Sequence, residues 1–199
     1  MVEDALSELA ASPWALPLLF ALVLGDAFLV VVPGEAAVTA LAALAVAEAT
    51  PPLVAVIVVA AVAAACGDAC CYLIGRVVGL ERWRWMRGPR VRRALEWARA
   101  RLDRRAAAVL FTARFIPFAR LAVNLSAGAA RIPAPRYLAI ATLAALGWAV
   151  YQALIGAVVA AILPGGSLAA VLVSIVVAVG LGLGLDALIG RGRKQIREG

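Results

Sequence analysis

Apolar residues run along this chain in long blocks, separated by short breaks of Pro, Gly and charge. The blocks cover 14–32, 36–46, 53–78, 106–130, 137–163 and 167–189. The breaks fall at Pro33-Gly34, Thr50-Pro51-Pro52, an Arg-rich stretch, Ile132-Pro133-Ala134-Pro135 and Pro164-Gly165-Gly166. A helix needs about 20 apolar residues to cross roughly 30 Å of hydrocarbon. Segments 53–78, 137–163 and 167–189 reach that length. Segment 36–46 has 11 residues, about half a membrane at 1.5 Å per residue. Segment 106–130 is interrupted by Arg114, Pro117, Arg120, Asn124 and Ser126. The pattern predicts two re-entrant hairpins, 14–46 turning near Pro33-Gly34 and 106–130 turning near Pro117. Irregular backbone at membrane depth is tolerated only under cover of protein or a watery cavity, so the two hairpins are expected to meet.

Composition agrees with that reading. The chain has 199 residues, 65% hydrophobic, with a mean hydropathy of +0.98, against about 45–50% apolar in soluble domains. The expected fold is all-α: one polytopic membrane domain over 1–199, with two re-entrant hairpins in an inverted repeat and about three full transmembrane helices. The first residues carry Glu3, Asp4 and Glu8 but no Lys or Arg, unlike the positive start of a secretory signal. The first apolar segment is therefore expected to be retained.

Charge sets the orientation. Net charge is +7, eleven arginines fall between Arg76 and Arg105, and the stretch Arg191–Arg197 is basic again. Basic loops face the cytoplasm, which accounts for the pI without nucleic acid as a partner. With 80–105 inside, 53–78 runs inward, hairpin 106–130 enters and leaves from the cytoplasm, 137–163 runs out and 167–189 returns. Hairpin 14–46 then lies on the outer side. Hairpin plus span from outside is followed by hairpin plus span from inside, the inverted repeat of many transporters, which bind at the midplane. A competing reading makes 14–32 a full span with both termini inside. Within 80–105, Trp83, Trp85, Leu95, Trp97 and Leu102 interleave with Arg, as in an amphipathic helix lying against anionic lipid.

A charge at the bilayer centre costs about 2.5 to 17 kcal/mol, so the charged residues inside the apolar blocks are the candidates for chemistry. Arg114 and Arg120 offer planar forks of donors suited to phosphate or carboxylate. The break at Pro117 can add backbone N–H groups, and Asn124 and Ser126 add neutral donors. Asp26 and Glu35 flank the Pro33-Gly34 turn. Asp68 sits near the middle of 53–78, where it pairs with a base or carries a proton. Arg76 near the end of that span can snorkel. The alternative for both arginines is internal pairing with Asp26, Glu35 or Asp68.

No His, P-loop or Ser-His-Asp set is present, and no catalytic residue, cofactor or metal site is expected. Cys66 and Cys70 share a helix face without further ligands, and read with Cys71 as small packing residues. The small-residue run Gly180–Gly184 permits close contact between helices and thus a homo-oligomer.

Three motifs in order resemble the DedA family, also called the SNARE-associated or VTT-domain family, over roughly residues 20–160. Asp26 and Glu35 around Pro33-Gly34 resemble its acidic hairpin. Gly67-Asp68, Tyr72, Gly75-Arg76 and Gly79 resemble its second block. Phe111, Arg114, Pro117, Arg120 and then Ala127-Gly128 resemble its third, and Gly147-Trp148 matches the following span. Asp26 stands where the family often has Glu, and the residues before Pro33 are not proline-rich. The resemblance implies translocation of undecaprenyl phosphate across the bacterial cytoplasmic (inner) membrane, coupled to protons or potential. By analogy Arg114 and Arg120 would hold the lipid phosphate, with Glu35, Asp26 and Asp68 exchanging protons or releasing the arginines. Phospholipid scrambling, ion-coupled transport of a small solute, and a non-transporting scaffold are the competing functions.

Overall fold

The computed structural model describes residues 8–29, 34–78, 110, 114 and 117–162. The Arg-rich segment 80–105, the span 167–189, the basic stretch after it, the turn residues 30–33 and most of 106–116 lie outside the described residues. The rest is helical: α1 (Ala15–Asp26), α2 (Gly34–Ala47), α3 (Leu53–Val78), α4 (Pro117–Ala129) and α5 (Ala134–Ile162).

Proline punctuates these helices at their starts. Pro17 is the third residue of α1, Pro52 immediately precedes α3, Pro117 opens α4 and Pro135 is second in α5. The first-turn N–H groups of a helix have no partner within it, so a residue lacking one is no loss there. Segment 53–78 forms a helix over the expected residues. Segment 36–46 forms a longer helix, 14 residues from Gly34, and 137–163 begins three residues early, at Ala134. In both cases a turn residue is drawn into the first helical turn.

Helices α3 and α5 have 26 and 29 residues, about 39 and 43 Å at 1.5 Å per residue. Both are long and apolar enough to cross a membrane. Their outward faces carry stripes of large apolar residues. Val54, Val58, Val62 and Val77 on α3, and Leu143, Leu154, Val158 and Ile162 on α5, are all at least half exposed except Val62, at 49%. A soluble core helix would hide such stripes; facing hydrocarbon they are at home. This is an all-α membrane protein.

Helix α1 packs antiparallel to α2. Ala10, just before α1, meets Leu44 near the end of α2, and Asp26 at the end of α1 meets Gly34 at the start of α2. The connecting turns then set α2–α3 and α4–α5 running in opposite senses. Each short helix packs on the span of the other pair, α2 along α5 and α4 along α3. Glycines make both crossings. A Cβ on Gly156 of α5 would strike the Thr39 carbonyl of α2, and one on Gly75 of α3 would strike the Leu125 carbonyl of α4. Gly75 and Gly156 each lie 22 residues beyond the first residue of their span.

The core is built from small side chains. Ala42, Ala45, Ala60, Ala63, Ala64, Ala145, Ala149 and Ala153 surround Trp148, Leu19, Val23 and Val38. Lipid tails are as apolar as any side chain, so helix association in a membrane relies on close packing, and small residues permit it.

Candidate functional site

Asp68 is the centre of the site. It lies on α3 beside Gly67, where the absence of a Cβ lets Ala27 and the Leu24 carbonyl at the end of α1 come close. That approach brings Asp26 toward Asp68. On the other side, a Cβ on Gly128 of α4 would collide with the Tyr72 carbonyl and the Arg76 nitrogen of α3. Arg120, Asn124 and Gly128 are spaced by four and share one face of α4. The close crossing at Gly128 therefore presses Arg120 and Asn124 onto Asp68.

The bonds are specific. Oδ1 of Asp68 accepts from Nε of Arg120 at 2.9 Å and from Nδ2 of Asn124 at 2.8 Å. Its other oxygen, Oδ2, accepts from Nη2 of Arg114. Arg120 also donates through Nη1 to Oδ2 of Asp26 at 3.0 Å, bridging the end of α1 to α3. Asp68, Arg114, Arg120 and Asn124 are buried. The internal pairing weighed in the sequence is present, through Asp68 and Asp26.

Aromatic residues wall the cluster. The Arg114 guanidinium lies 5.7 Å from the centre of the Trp148 ring, a cation–π distance. Trp148, Asp26 and Arg120 are near enough to act on the Glu35 carboxyl electrostatically. Tyr137 of α5 donates its hydroxyl to the Asp68 carbonyl at 3.1 Å. Its ring stacks on Tyr72, with centroids 4.3 Å apart.

Two buried nitrogens have no hydrogen-bond partner among the described residues, Nη1 of Arg114 and Nη2 of Arg120. Arg114 is anchored through Nη2 to Asp68, and Arg120 through Nε and Nη1 to Asp68 and Asp26, which leaves one N–H-bearing group of each unengaged among the described residues. A tetrahedral oxyanion such as a phosphate is a partner that two such groups can share.

The structure brings Asp26, Asp68, Arg114, Arg120 and Asn124 together, with Glu35 at their edge. Ser126 is half-buried and, two residues beyond Asn124, is turned by about 200° away from that face. Pro117 starts the helix that carries Arg120. Arg76 stands two turns from Asp68 and is exposed. It donates to the Tyr72 hydroxyl at 2.6 Å and the Ile132 carbonyl at 3.3 Å. Sequence reasoning gave Tyr72 and Trp148 no role beyond matching a motif and passed over Tyr137; polar aromatics inside apolar spans were the available signal. Cys71 donates to the Ala27 carbonyl at 3.6 Å, a packing contact at the α1–α3 approach.

A family model described as VTT domain matches residues 32–158. No curated protein and no solved structure matches the chain. The matched stretch contains Glu35, Asp68, Arg114, Arg120 and Asn124; Asp26 lies before it.

Proposed function

The chain belongs to the VTT-domain family, the domain of the DedA family, and we propose that it moves a polyprenyl-phosphate lipid, undecaprenyl phosphate, across the bacterial cytoplasmic membrane. The observation that carries this reading is the pair of buried nitrogens on Arg114 and Arg120 that have no partner among the described residues. A phosphate fits two guanidinium groups already aimed by carboxylates. In this reading α1–α2 and α4 with the residues before it form re-entrant hairpins between the spans, so the site lies near the bilayer midplane, as in other inverted-repeat transporters.

Charge counting gives the coupling. Arg114 and Arg120 are balanced by Asp68 and Asp26. An arriving phosphate adds negative charge where two arginines are already matched by Asp68 and Asp26, which low-dielectric surroundings resist. Proton uptake by a carboxylate removes the conflict. Asp26, held through one Arg120 bond among the described residues, and Glu35, which lies near Trp148, are the groups in position to take that proton. Asp68, held by three side-chain donors, acts instead as the anchor that aims the arginines.

The test is reconstitution into vesicles with a fluorescent polyprenyl phosphate and a membrane-impermeant quencher. The wild type is expected to expose the lipid to the quencher, and Arg114→Gln and Arg120→Gln to slow this by about tenfold or more, the scale of one lost charge-assisted hydrogen bond. Glu35→Gln is expected to flatten the pH dependence. Unchanged rates in all three variants would overturn the site. Equal rates for phosphatidylcholine would reassign the protein as a scramblase.

A further inference from the structure

Asp68, Tyr72 and Arg76 repeat every four residues on α3 and form one stripe leading from the buried cluster to the end of the span. Tyr72 is buried and Arg76 exposed. The Tyr72 hydroxyl donates to the Ile132 carbonyl at 2.5 Å and accepts from Arg76, which also reaches that carbonyl. Arg76 is thereby pinned to the α4–α5 turn, and two more exposed arginines, Arg131 and Arg136, flank the same turn.

Arg131 is in an unexpected place. The N–H of Arg131 bonds the Gly128 carbonyl at 2.9 Å and that of Ile132 bonds the Ala127 carbonyl at 3.2 Å. This pair of bonds is the glycine-type helix terminator, and it puts Arg131 at the left-handed position, with φ of 55°. Glycine is the default there, and a side chain strains the backbone. A positive charge is kept where the fold itself favours a residue without one.

We propose that Arg76, Arg131 and Arg136 form a second, superficial subsite for the phosphate of a lipid, at the mouth of the buried site and divided from it by the Tyr72–Tyr137 stack. The phosphate chemistry rests on the function proposed above. The lipid source rests on position: Leu73, Ile74 and Val77 are exposed beside Arg76, so an apolar tail lies along α3 while its head meets the arginines. The stacked tyrosines are tied at both hydroxyls to backbone carbonyls, of Ile132 and Asp68. Parting them connects the two subsites.

The test titrates the full-length protein, in nanodiscs of phosphatidylcholine, with dodecyl phosphate. The wild type is expected to bind two molecules and the Arg131→Gly/Arg136→Gln variant one. Arg131→Gly relieves the strained backbone, so thermal stability holds or rises as binding falls, which separates a lost ligand contact from a damaged fold. Two sites of unchanged affinity in this variant would overturn the superficial subsite. Inorganic phosphate displacing dodecyl phosphate there at equal concentration would overturn the lipid assignment. The variant Arg114→Gln/Asp68→Asn, which keeps the buried charges balanced, is expected to retain the superficial molecule alone. If it keeps both, the buried reading fails and the superficial subsite stands by itself.

Discussion

Asp68 and Arg120 meet in a 2.9 Å bond between two buried side chains on different helices. Its geometry is set eight residues beyond Arg120, where Gly128 lets α4 touch the backbone of α3. Charge and packing at this site are therefore one arrangement. Loss of either partner leaves a buried charge uncompensated.

Asp68→Ala removes the acceptor of Arg114, Arg120 and Asn124 together. Breaking a buried ion pair from one side costs about 3–5 kcal/mol, and a drop of that size is expected in denaturant unfolding of the detergent-solubilised protein. Pairing Asp68→Asn with Arg114→Gln is expected to recover part of the loss, because one cation leaves with the anion.

Gly128→Leu places a side chain where the Tyr72 carbonyl lies. Helices α3 and α4 must separate, and Arg120 and Asn124 withdraw from Asp68. Lower thermal stability together with loss of lipid-phosphate binding is the expected pair of results. Leu at an exposed position such as Ala122 should change neither.

Tyr137→Phe keeps the stack on Tyr72 and removes only the hydroxyl bonded to the Asp68 carbonyl. A single neutral hydrogen bond contributes about 0.5–1.5 kcal/mol, and unfolding measurements should show a loss in that range. Tyr137→Ala also deletes the stack and should cost several times more.

The opposed directions of the two helix pairs put the loop after α2 and the loop after α4 at opposite ends of the bundle. With Cys66, Cys70 and Cys71 replaced, a cysteine at Glu48 and one at Arg131 should react with an impermeant maleimide from opposite sides of the membrane. Labelling from the same side would break the inverted arrangement.

Much of this was legible in the sequence because apolar environments make charges conspicuous. Asp26, Asp68, Arg114 and Arg120 are costly in hydrocarbon, and the structure gathers all four. The two long helices among the described residues, α3 and α5, were legible from length alone. Which carboxylate held which arginine was not, because the pairing depends on where α1 and α4 cross α3, and those crossings are decided by Gly67 and Gly128. A glycine in a helix reads as a weak spot unless the neighbouring backbone is in view. Tyr137 was passed over for a related reason: its role is a hydroxyl aimed at a carbonyl on another helix, which no spacing within one segment reveals.

Gly75 and Gly156 hold equivalent positions, yet the residues around them are not equivalent. Counted from the first residue of each span, Asp68, Tyr72 and Arg76 of α3 correspond to Ala149, Ala153 and Ala157 of α5. One seam is polar from its centre to its rim and its twin is alanine throughout. The frame is shared and its lining is not: of these two stripes, only the one on α3 carries ionisable side chains.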